Sequence, residues 1–356
     1  MTRVYLDWNA TAPLRPEARE AMLAAFDAVG NPSSAHTEGR AAKAIIETAR
    51  GQVARLVGCE PGEVVFTSGA TEAMALAVTQ FARFEAAPIE HDCVCAYASS
   101  DLTVSANGHV RQPVPKGPDT LVAIQAANGE TGIVQPLHLW DDTTNNLVDA
   151  AQALGKTAFR LDDVDWTYCL IAPQKFGGPR GTGSLVVKSG FDVQPLLKGG
   201  GQEMRRRSGT ENLVGIAGFG AAAEAAQRDL EAGVWDQVAK LRDDLEARLE
   251  DAVPDLIIVG RDVPRLPNTS YFAIPGWKGE TQVMQMDLAG FAVSAGSACS
   301  SGKTSGSKVL LAMGFDEETA ASAIRVSMGP TTTEAEVMAF ADTWMEHYRR
   351  RRVRAA

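Results

Sequence analysis

A unit made of a strand, a glycine-containing turn and a helix recurs in the first half of this chain, and it restricts the fold more than any other feature. The clearest copy is an apolar run at residues 63–67, a turn at residues 68–71 (Ser-Gly-Ala-Thr) and a helix expected to continue to residue 84. Further strands are predicted at residues 121–125, 147–149 and 168–172. Alternating strands and helices predict an α/β fold with a mostly parallel sheet. Such sheets bind ligands at the carboxyl ends of their strands.

Helical periodicity and changes of pattern divide the rest of the chain. Pro16 is placed to begin one helix, and Gly58 is placed to end another that covers residues 42–57. A long helical stretch at residues 214–249 leads out of the alternating region. Beyond it, strands are predicted at residues 256–259 and 269–272, and helices at residues 308–313, 317–322 and 334–349. This second region predicts a smaller α+β domain.

Composition argues against several functional classes. The 356 residues carry a formal net charge of −10, which argues against a surface for nucleic acid. No apolar run is long enough to span a bilayer, so no membrane association is expected. The cysteines are Cys59, Cys93, Cys95, Cys169 and Cys299. An odd number in a long chain argues against a disulfide framework and for a reducing cytoplasm, and their spacing does not suit a metal site.

Two motifs in the first half have the chemistry to hold a phosphorylated pyridine. Residues 67–72 (Thr-Ser-Gly-Ala-Thr-Glu) place small residues at a helix N-terminus, where free N–H groups and the helix dipole favour a phosphate. An ordinary capped turn is the other interpretation. Asp149 ends a predicted strand, and a carboxylate there can pair with a protonated ring nitrogen and keep the ring an electron sink. A surface aspartate is the alternative.

Three further residues have candidate roles in catalysis or substrate binding. Lys175 precedes two glycines closely, and desolvation in such a cramped turn can lower its pKa and make it an imine-forming nucleophile. Cys299 lies among Gly, Ser and Ala at residues 294–303, a mixture typical of flexible loops, where a thiol near a cation can ionise. Arg325 lies in an apolar stretch and needs a partner, either a bound carboxylate or a structural ion pair.

Taken in order, these motifs resemble the cysteine desulfurases of the NifS-like type, within the class V aminotransferases. The resemblance covers nearly the whole chain. Its motifs lie at residues 5–13, 30–36, 66–72, 128–132, 149–152, 175–181, 199–203, 207–212, 297–302 and 324–329. It implies a fold-type I enzyme dependent on pyridoxal phosphate and a homodimer with active sites near the subunit interface. It also implies a large domain at residues 14–250 and a small domain formed by residues 1–13 and 251–356.

The resemblance also implies roles for individual side chains around the cofactor ring. Lys175 would hold the cofactor as a Schiff base, and Asp149 would pair with the pyridine nitrogen. Gln152 would form a hydrogen bond with the ring hydroxyl. His91 would stack on the ring and shuttle protons.

The phosphate and the substrate are implied to have their own sets of contacts. Ala70 and Thr71 would hold the phosphate, with help from Thr210 of the partner subunit. Arg325 would bind the substrate carboxylate, and Asn128 belongs to the same substrate site.

The implied reaction converts L-cysteine to L-alanine. The Cys299 thiolate would attack the substrate sulfur and become a persulfide. An acceptor protein, such as an iron–sulfur scaffold, would then receive the sulfur.

Three positions depart from the family pattern. The usual Ser-x-His before the lysine is Ala172-Pro173-Gln174 here, which removes one phosphate hydrogen bond. Gln174 can still donate to the cofactor, but it cannot carry the charge of a histidine. The second of the family's paired asparagines is replaced by Gly129, which has no side chain for a contact.

Two other functions remain open at this point. One is a selenocysteine lyase or another pyridoxal-phosphate enzyme. The other is a catalytically impaired paralogue that binds or regulates an active partner, which the altered cofactor contacts motivate. Retention of Lys175, Asp149, His91, Arg325 and Cys299 favours an active desulfurase.

Overall fold

The computed structural model of the protein describes residues 3–111, 117–139, 145–296 and 306–355. Its strands are β1 (Val4–Tyr5), β2 (Val64–Thr67), β3 (Arg83–Ala86), β4 (Ser100–Asp101), β5 (Thr120–Gln125), β6 (Asn145–Asp149), β7 (Tyr168–Ile171), β8 (Gly183–Val187), β9 (Ile257–Ile258), β10 (Thr269–Ala273), β11 (Phe291–Ala292), β12 (Ser294–Ala295) and β13 (Ala323–Ser327). Its helices are α1 (Pro16–Phe26), α2 (Thr37–Val57), α3 (Ala70–Val78), α4 (Asp92–Cys95), α5 (Leu213–Glu231), α6 (Val234–Ala252), α7 (Gly279–Leu288), α8 (Lys308–Ala312), α9 (Glu317–Ser322) and α10 (Glu334–Ala355).

A seven-stranded sheet in the order β2-β8-β7-β6-β5-β3-β4 forms the centre of the large region. Neighbouring strands from β7 to β4 are parallel, whereas β8 is antiparallel to both β7 and β2. Every strand of this sheet except β8 therefore has its carboxyl end at the same edge. The mostly parallel sheet predicted from the sequence is confirmed.

Both faces of this sheet are covered, which explains why β5, β7 and β8 are largely apolar on both faces. Successive residues of a strand point to opposite faces. On β5, Val122 and Ile124 join the core beneath α1, α2 and α5, whereas Leu121 and Ala123 join the core beneath α3. Each fully buried aliphatic side chain of this kind contributes about 1.5–3 kcal/mol.

A second core forms around an antiparallel sheet in the order β12-β13-β10-β9, beside the parallel pair β1 and β11. Trp344 of α10 is fully buried there and stacks on Trp277 with ring centroids 5.2 Å apart. Trp235 and Leu245 of α6 belong to the same core. Helix α6 therefore packs with the second region although it precedes residue 252. The domain boundary at residue 250 stays a prediction.

Two helix predictions were wrong in extent. The helix that begins at Ala70 ends at Val78, because Phe84 belongs to β3, which pairs with β5. Residues 83–86 have no β-branched side chain, so only tertiary pairing reveals the strand. The stretch at residues 214–249 is two helices, α5 and α6, separated by Gly233 at a φ of 68°. Within the described residues, none of the helices combines the length and apolar character needed to cross a membrane.

Candidate active site

The predicted site residues meet at the carboxyl edge of the seven-stranded sheet. Gly69 lies in the turn after β2, and His91 follows β3. Asn128 follows β5, Asp149 ends β6, and Lys175 lies in the turn after β7. Since these strands share one direction, residues far apart in sequence are brought to one edge.

The turn after β2 presents an uncapped helix N-terminus. Gly69 precedes α3 with extended backbone, and no side chain of the described residues caps the helix. The turn lies directly against β8, because a Cβ on Gly183 would be 2.5 Å from the carbonyl carbon of Gly69. The first N–H groups of α3 are therefore placed to donate hydrogen bonds to an anion, which is the arrangement that the sequence predicts.

Asp149 is a buried carboxylate at the end of β6. Its Oδ1 accepts a hydrogen bond of 2.9 Å from the Ala151 N–H. Burial raises the pKa of Asp149, whereas that hydrogen bond and the positive charges of His91 and Lys175 lower it. A carboxylate in this setting is suited to a protonated ring nitrogen, which would stabilise its negative charge.

Glu90 is a second buried acid that the sequence analysis missed. Its Oε1 accepts from the Gln125 N–H at 3.0 Å, and its Oε2 has no hydrogen-bond partner among the described residues. Burial raises the pKa of Glu90 well above its usual value, and the charge of Asp149 raises it further. The only sequence signal was a carboxylate directly before His91.

Lys175 is half-buried in a 3₁₀ turn, Pro173–Lys175. Its Nζ donates to the carbonyl oxygens of Asn9 at 2.9 Å and Ala10 at 3.0 Å. These carbonyls come from the N-terminal segment, which the sequence analysis did not connect with the lysine. Gln174 lies in the same turn, and its buried Oε1 has no partner among the described residues.

His91 is exposed at the start of α4, and its ring orientation is defined by Cys93. The Cys93 N–H lies 3.2 Å from His91 Nδ1, and the Cys93 Sγ lies 3.0 Å from the same atom. Because a backbone N–H can only donate, Nδ1 accepts and the proton of the neutral ring is on Nε2. Burial raises the pKa of Cys93 to about 12, so Cys93 remains a thiol, and it shares a hydrogen bond with Thr71.

Arg325 on β13 is buried, and its guanidinium is only partly paired. Its Nη2 pairs with Asp7 at 2.8 Å, and its Nη1 donates to the Gly129 carbonyl at 2.8 Å. Its Nε has no partner among the described residues. Both interpretations offered by the sequence therefore have support, since an ion pair exists and one donor is left for a ligand.

Asn128, by contrast, uses both ends of its amide inside the protein. Its Nδ2 donates to the Ile89 carbonyl at 3.1 Å, and its Oδ1 accepts from the N–H groups of Glu130 and Thr131. These bonds hold the loop after β5. A contact between Asn128 and substrate stays a prediction.

Three other predicted residues differ in how the structure places them. Gln152 is half-buried after β6 and donates from Nε2 to the Asn9 carbonyl at 3.0 Å. Thr210 is exposed on a single chain, and its predicted contact with a second subunit stays a prediction. Cys299 lies outside the described residues.

The residues that flank residues 297–305 lie near Arg325. Ser307 donates to Glu130 Oε2 at 2.6 Å, and the Tyr271 hydroxyl donates to the same oxygen at 3.2 Å. On the other flank, Ser294 pairs with Arg325 between β12 and β13. Both ends of the segment that carries Cys299 are therefore attached close to Arg325.

The described residues fit pyridoxal phosphate by the chemistry of their side chains. The uncapped start of α3 suits the phosphate, the buried Asp149 suits the ring nitrogen, and the Lys175 amine suits the aldehyde. The orphaned Nε of Arg325 adds a donor for a carboxylate. Together the fold and these side chains define an α/β protein whose sheet edge has the donors, the carboxylate and the amine that a phosphorylated aldehyde would need.

Comparison with known proteins gives the family. The family model described as "Aminotransferase class-V" matches residues 4–95 and 115–340. A protein of Cereibacter sphaeroides named cysteine desulfurase is 37% identical over 367 residues, which cover 95% of this chain and 93% of the relative. The chain belongs to the aminotransferase class-V family, as its motifs predicted.

Solved structures agree with this placement. The structure of a NifS-like protein from Rickettsia africae has a TM-score of 0.88 and 32% identity, and it covers 97% of this chain and 99% of its own. A structure described as SspA in complex with cysteine has a TM-score of 0.75 and 26% identity, with coverage of 93% and 100%. The predicted fold class is confirmed.

Proposed function

We propose that this protein is a cysteine desulfurase, which converts L-cysteine to L-alanine and transfers the sulfur through Cys299 to an acceptor protein. The observation that carries the proposal is the convergence of Lys175, Asp149 and the α3 N-terminus at one sheet edge, with Arg325 opposite. Curated relatives named cysteine desulfurase, at about a third identity over nearly the whole chain, support the activity.

The cofactor of this proposal is pyridoxal phosphate, which supplies an electron sink for the Cα–H bond when it is bound. Lys175 holds it covalently and then moves the proton at the substrate Cα. Asp149 keeps a proton on the ring nitrogen through its buried carboxylate. The N–H groups of Ala70 and Thr71, with Gln174 and the Thr210 side chain of a second copy, hold the phosphate.

Substrate binding is assigned to the other side of the site. Arg325 binds the carboxylate of L-cysteine with its unpaired Nε, while Asp7 and Gly129 keep the guanidinium in place. His91 carries its ring proton on Nε2, and there it exchanges protons with the substrate. An aminothiol acid is thereby placed with its carboxylate at Arg325 and its amine at Lys175.

The sulfur step needs no outside oxidant. The Cys299 thiolate forms an S–S bond with the substrate sulfur while the substrate C–S bond breaks, and the hydrogen of the substrate thiol ends as a C–H bond of alanine. The products are L-alanine and a persulfide anion on Cys299. Cys59, Cys93 and Cys169 are poor substitutes, because burial raises the pKa of Cys59 and of Cys93 to about 12 and that of Cys169 well above its usual value.

We further infer that the protein acts as a homodimer in the cytoplasm and that an iron–sulfur scaffold is a candidate acceptor. The exposed Thr210 supports the dimer, because one chain leaves that side chain in solvent. The odd number of cysteines in the sequence supports a reducing compartment.

The test is an assay of alanine and sulfide from L-cysteine, with added pyridoxal phosphate and a reductant. Wild type and Cys59→Ala are expected to form both products, and Cys299→Ala is expected to form neither at a comparable rate. Turnover that survives Cys299→Ala would remove the persulfide step. Faster turnover of L-selenocysteine with Cys299 dispensable would indicate a lyase, and failure to take up the cofactor would indicate a non-catalytic paralogue.

A further inference from the structure

Lys156 is a buried cation beside the site that the proposed reaction does not use. It is 2% exposed, in the turn after β6. Its Nζ donates to Asn9 Oδ1 at 3.0 Å and to Gln152 Oε1 at 2.8 Å. Within the described parts of the chain, no carboxylate lies within ion-pair distance of it. A buried lysine without a counter-charge is costly, so its donors need an explanation.

The two acceptors of Lys156 are joined to each other and to Lys175. Gln152 Nε2 donates to the Asn9 carbonyl at 3.0 Å, and the same carbonyl accepts from Lys175 at 2.9 Å. Lys156, Gln152 and Asn9 thus form a closed ring of hydrogen bonds. This ring connects the N-terminal segment to the turn after β6, at the position where Lys175 is held.

The ring determines which way the Gln152 amide faces. The Asn9 carbonyl can only accept, so the Gln152 atom against it is the nitrogen. Lys156 donates to the other end, so that atom is the oxygen. Nε2 has a second hydrogen, which has no partner among the described residues. This leaves one N–H for a ligand.

We propose that Lys156 is a positioning residue that fixes the Gln152 amide so that its Nε2 donates to the ring hydroxyl oxygen of pyridoxal phosphate. The proposal rests on the proposed function only in that this cofactor binds here. Burial and the charges of Lys175 and Arg325 lower the pKa of Lys156 well below its usual value.

A purely structural role is the alternative that the test must separate. Methionine fills nearly the same volume as lysine without a donor, so a residue that only filled space would tolerate Lys156→Met. If Lys156 only joined two segments, its replacement would lower the stability of the protein whether or not Gln152 were intact. A residue that acts through Gln152 loses its effect when Gln152 is shortened.

The experiment is a double-mutant cycle on cofactor affinity. Pyridoxal phosphate is titrated into the apo forms of wild type, Lys156→Met, Gln152→Ala and the double variant, and absorbance gives the Kd and the absorption maximum. Each single variant is expected to raise the Kd about tenfold, the size of one lost hydrogen bond to a charged oxygen. The double variant is expected to match the weaker single variant within about twofold, because the two residues act as one unit. The exposed Lys43→Met is the matched control and should leave the Kd unchanged.

The outcomes decide the proposal. Equal absorption shifts in both single variants and a non-additive cycle support it. An unchanged Kd in Lys156→Met, or effects that multiply to about a hundredfold in the double variant, overturn it. If Lys156→Met does not fold, Lys156→Gln, which keeps an amide donor, replaces it, and its Kd should lie between those of wild type and Gln152→Ala.

Alanine formation from L-cysteine is measured separately, so failure of the desulfurase proposal leaves the double-mutant cycle interpretable. Wild type that binds no cofactor would overturn both proposals.

Discussion

The two sides of the site differ in how they are built. The sheet side consists of residues at or soon after the carboxyl ends of β2, β6 and β7, where the strands place their backbone. The opposite side is assembled from the N-terminal segment, the loop after β5 and β13, which are distant in sequence and are joined by backbone and side-chain hydrogen bonds. Asp7, Gly129 and Arg325 illustrate this, since they lie far apart in sequence and are joined by hydrogen bonds of 2.8 Å. The sheet side is rigid by construction, whereas the opposite side depends on a hydrogen-bond network.

This difference predicts that changes on the sheet side affect chemistry and changes on the opposite side affect binding. Chemistry requires charges fixed relative to the ring. Substrate binding depends on hydrogen-bond donors that also contact other groups of the protein.

Asp149→Asn on the sheet side should lower kcat by about a thousandfold, because an amide no longer keeps a proton on the ring nitrogen. The side chain keeps its size, and its carbonyl can still accept from Ala151. Steady-state kinetics of alanine formation provide the measurement. A loss smaller than about tenfold would mean that the electron sink does not depend on Asp149.

Arg325→Met on the opposite side should raise KM for L-cysteine by about 10- to 100-fold and change kcat much less, since a charge-assisted hydrogen bond contributes about 1.5–3 kcal/mol. Asp7→Asn is the matched variant, because it weakens the hold on Arg325 without removing the guanidinium. Its KM should rise by a smaller factor. If Arg325→Met lowers kcat and leaves KM unchanged, the contrast between the two sides is wrong.

Gly183→Ala tests the rigid contact between the α3 turn and β8. The added Cβ would lie 2.5 Å from backbone of Gly69, so the turn must move. Overpacking of this kind costs about 1–3 kcal/mol, and we expect a Kd for pyridoxal phosphate raised about tenfold. Gly62→Ala is the control, because nothing lies within 4 Å of its Cβ position. Equal Kd values for the two variants would contradict a phosphate site at this turn.

Glu90→Gln should give the smallest effect on activity, together with a difference in stability that grows as the pH rises above the ordinary pKa of a glutamate. Because burial raises the pKa of Glu90 in the folded protein, folding favours its protonated form, and that stability is lost as the pH rises. Glutamine keeps the acceptor for the Gln125 N–H and cannot ionise. The free energy of unfolding of the apo variant should therefore exceed that of wild type at pH 8, with no difference near pH 4. A difference that grows toward acid would reverse the sign and refute the interpretation.

The same contrast explains how much of the molecule could be predicted from its sequence. Lys175, Asp149 and the turn at residues 68–71 follow apolar strands, so local pattern was enough to place them at one edge. Asn9 and Lys156 carry no local signal, because their importance arises only from contacts between distant segments.

The errors in the fold have the same cause. The strand at Arg83–Ala86 is stabilised by pairing with β5 and not by its own residues, so it was read as helix. Glu90 was overlooked because a carboxylate beside a histidine is unremarkable until its burial is known. Motifs that act through their own backbone are visible in a sequence, and networks between segments are not.

Two lysines lie close together at this site, Lys175 and Lys156, and we expect only Lys175 to hold pyridoxal phosphate covalently. The measurement is borohydride reduction of the protein with its cofactor, followed by mass spectrometry of its peptides. We predict a single phosphopyridoxyl group on the peptide that contains Lys175 and none on Lys175→Ala. A modified Lys156, or labelling that persists without Lys175, would contradict the account.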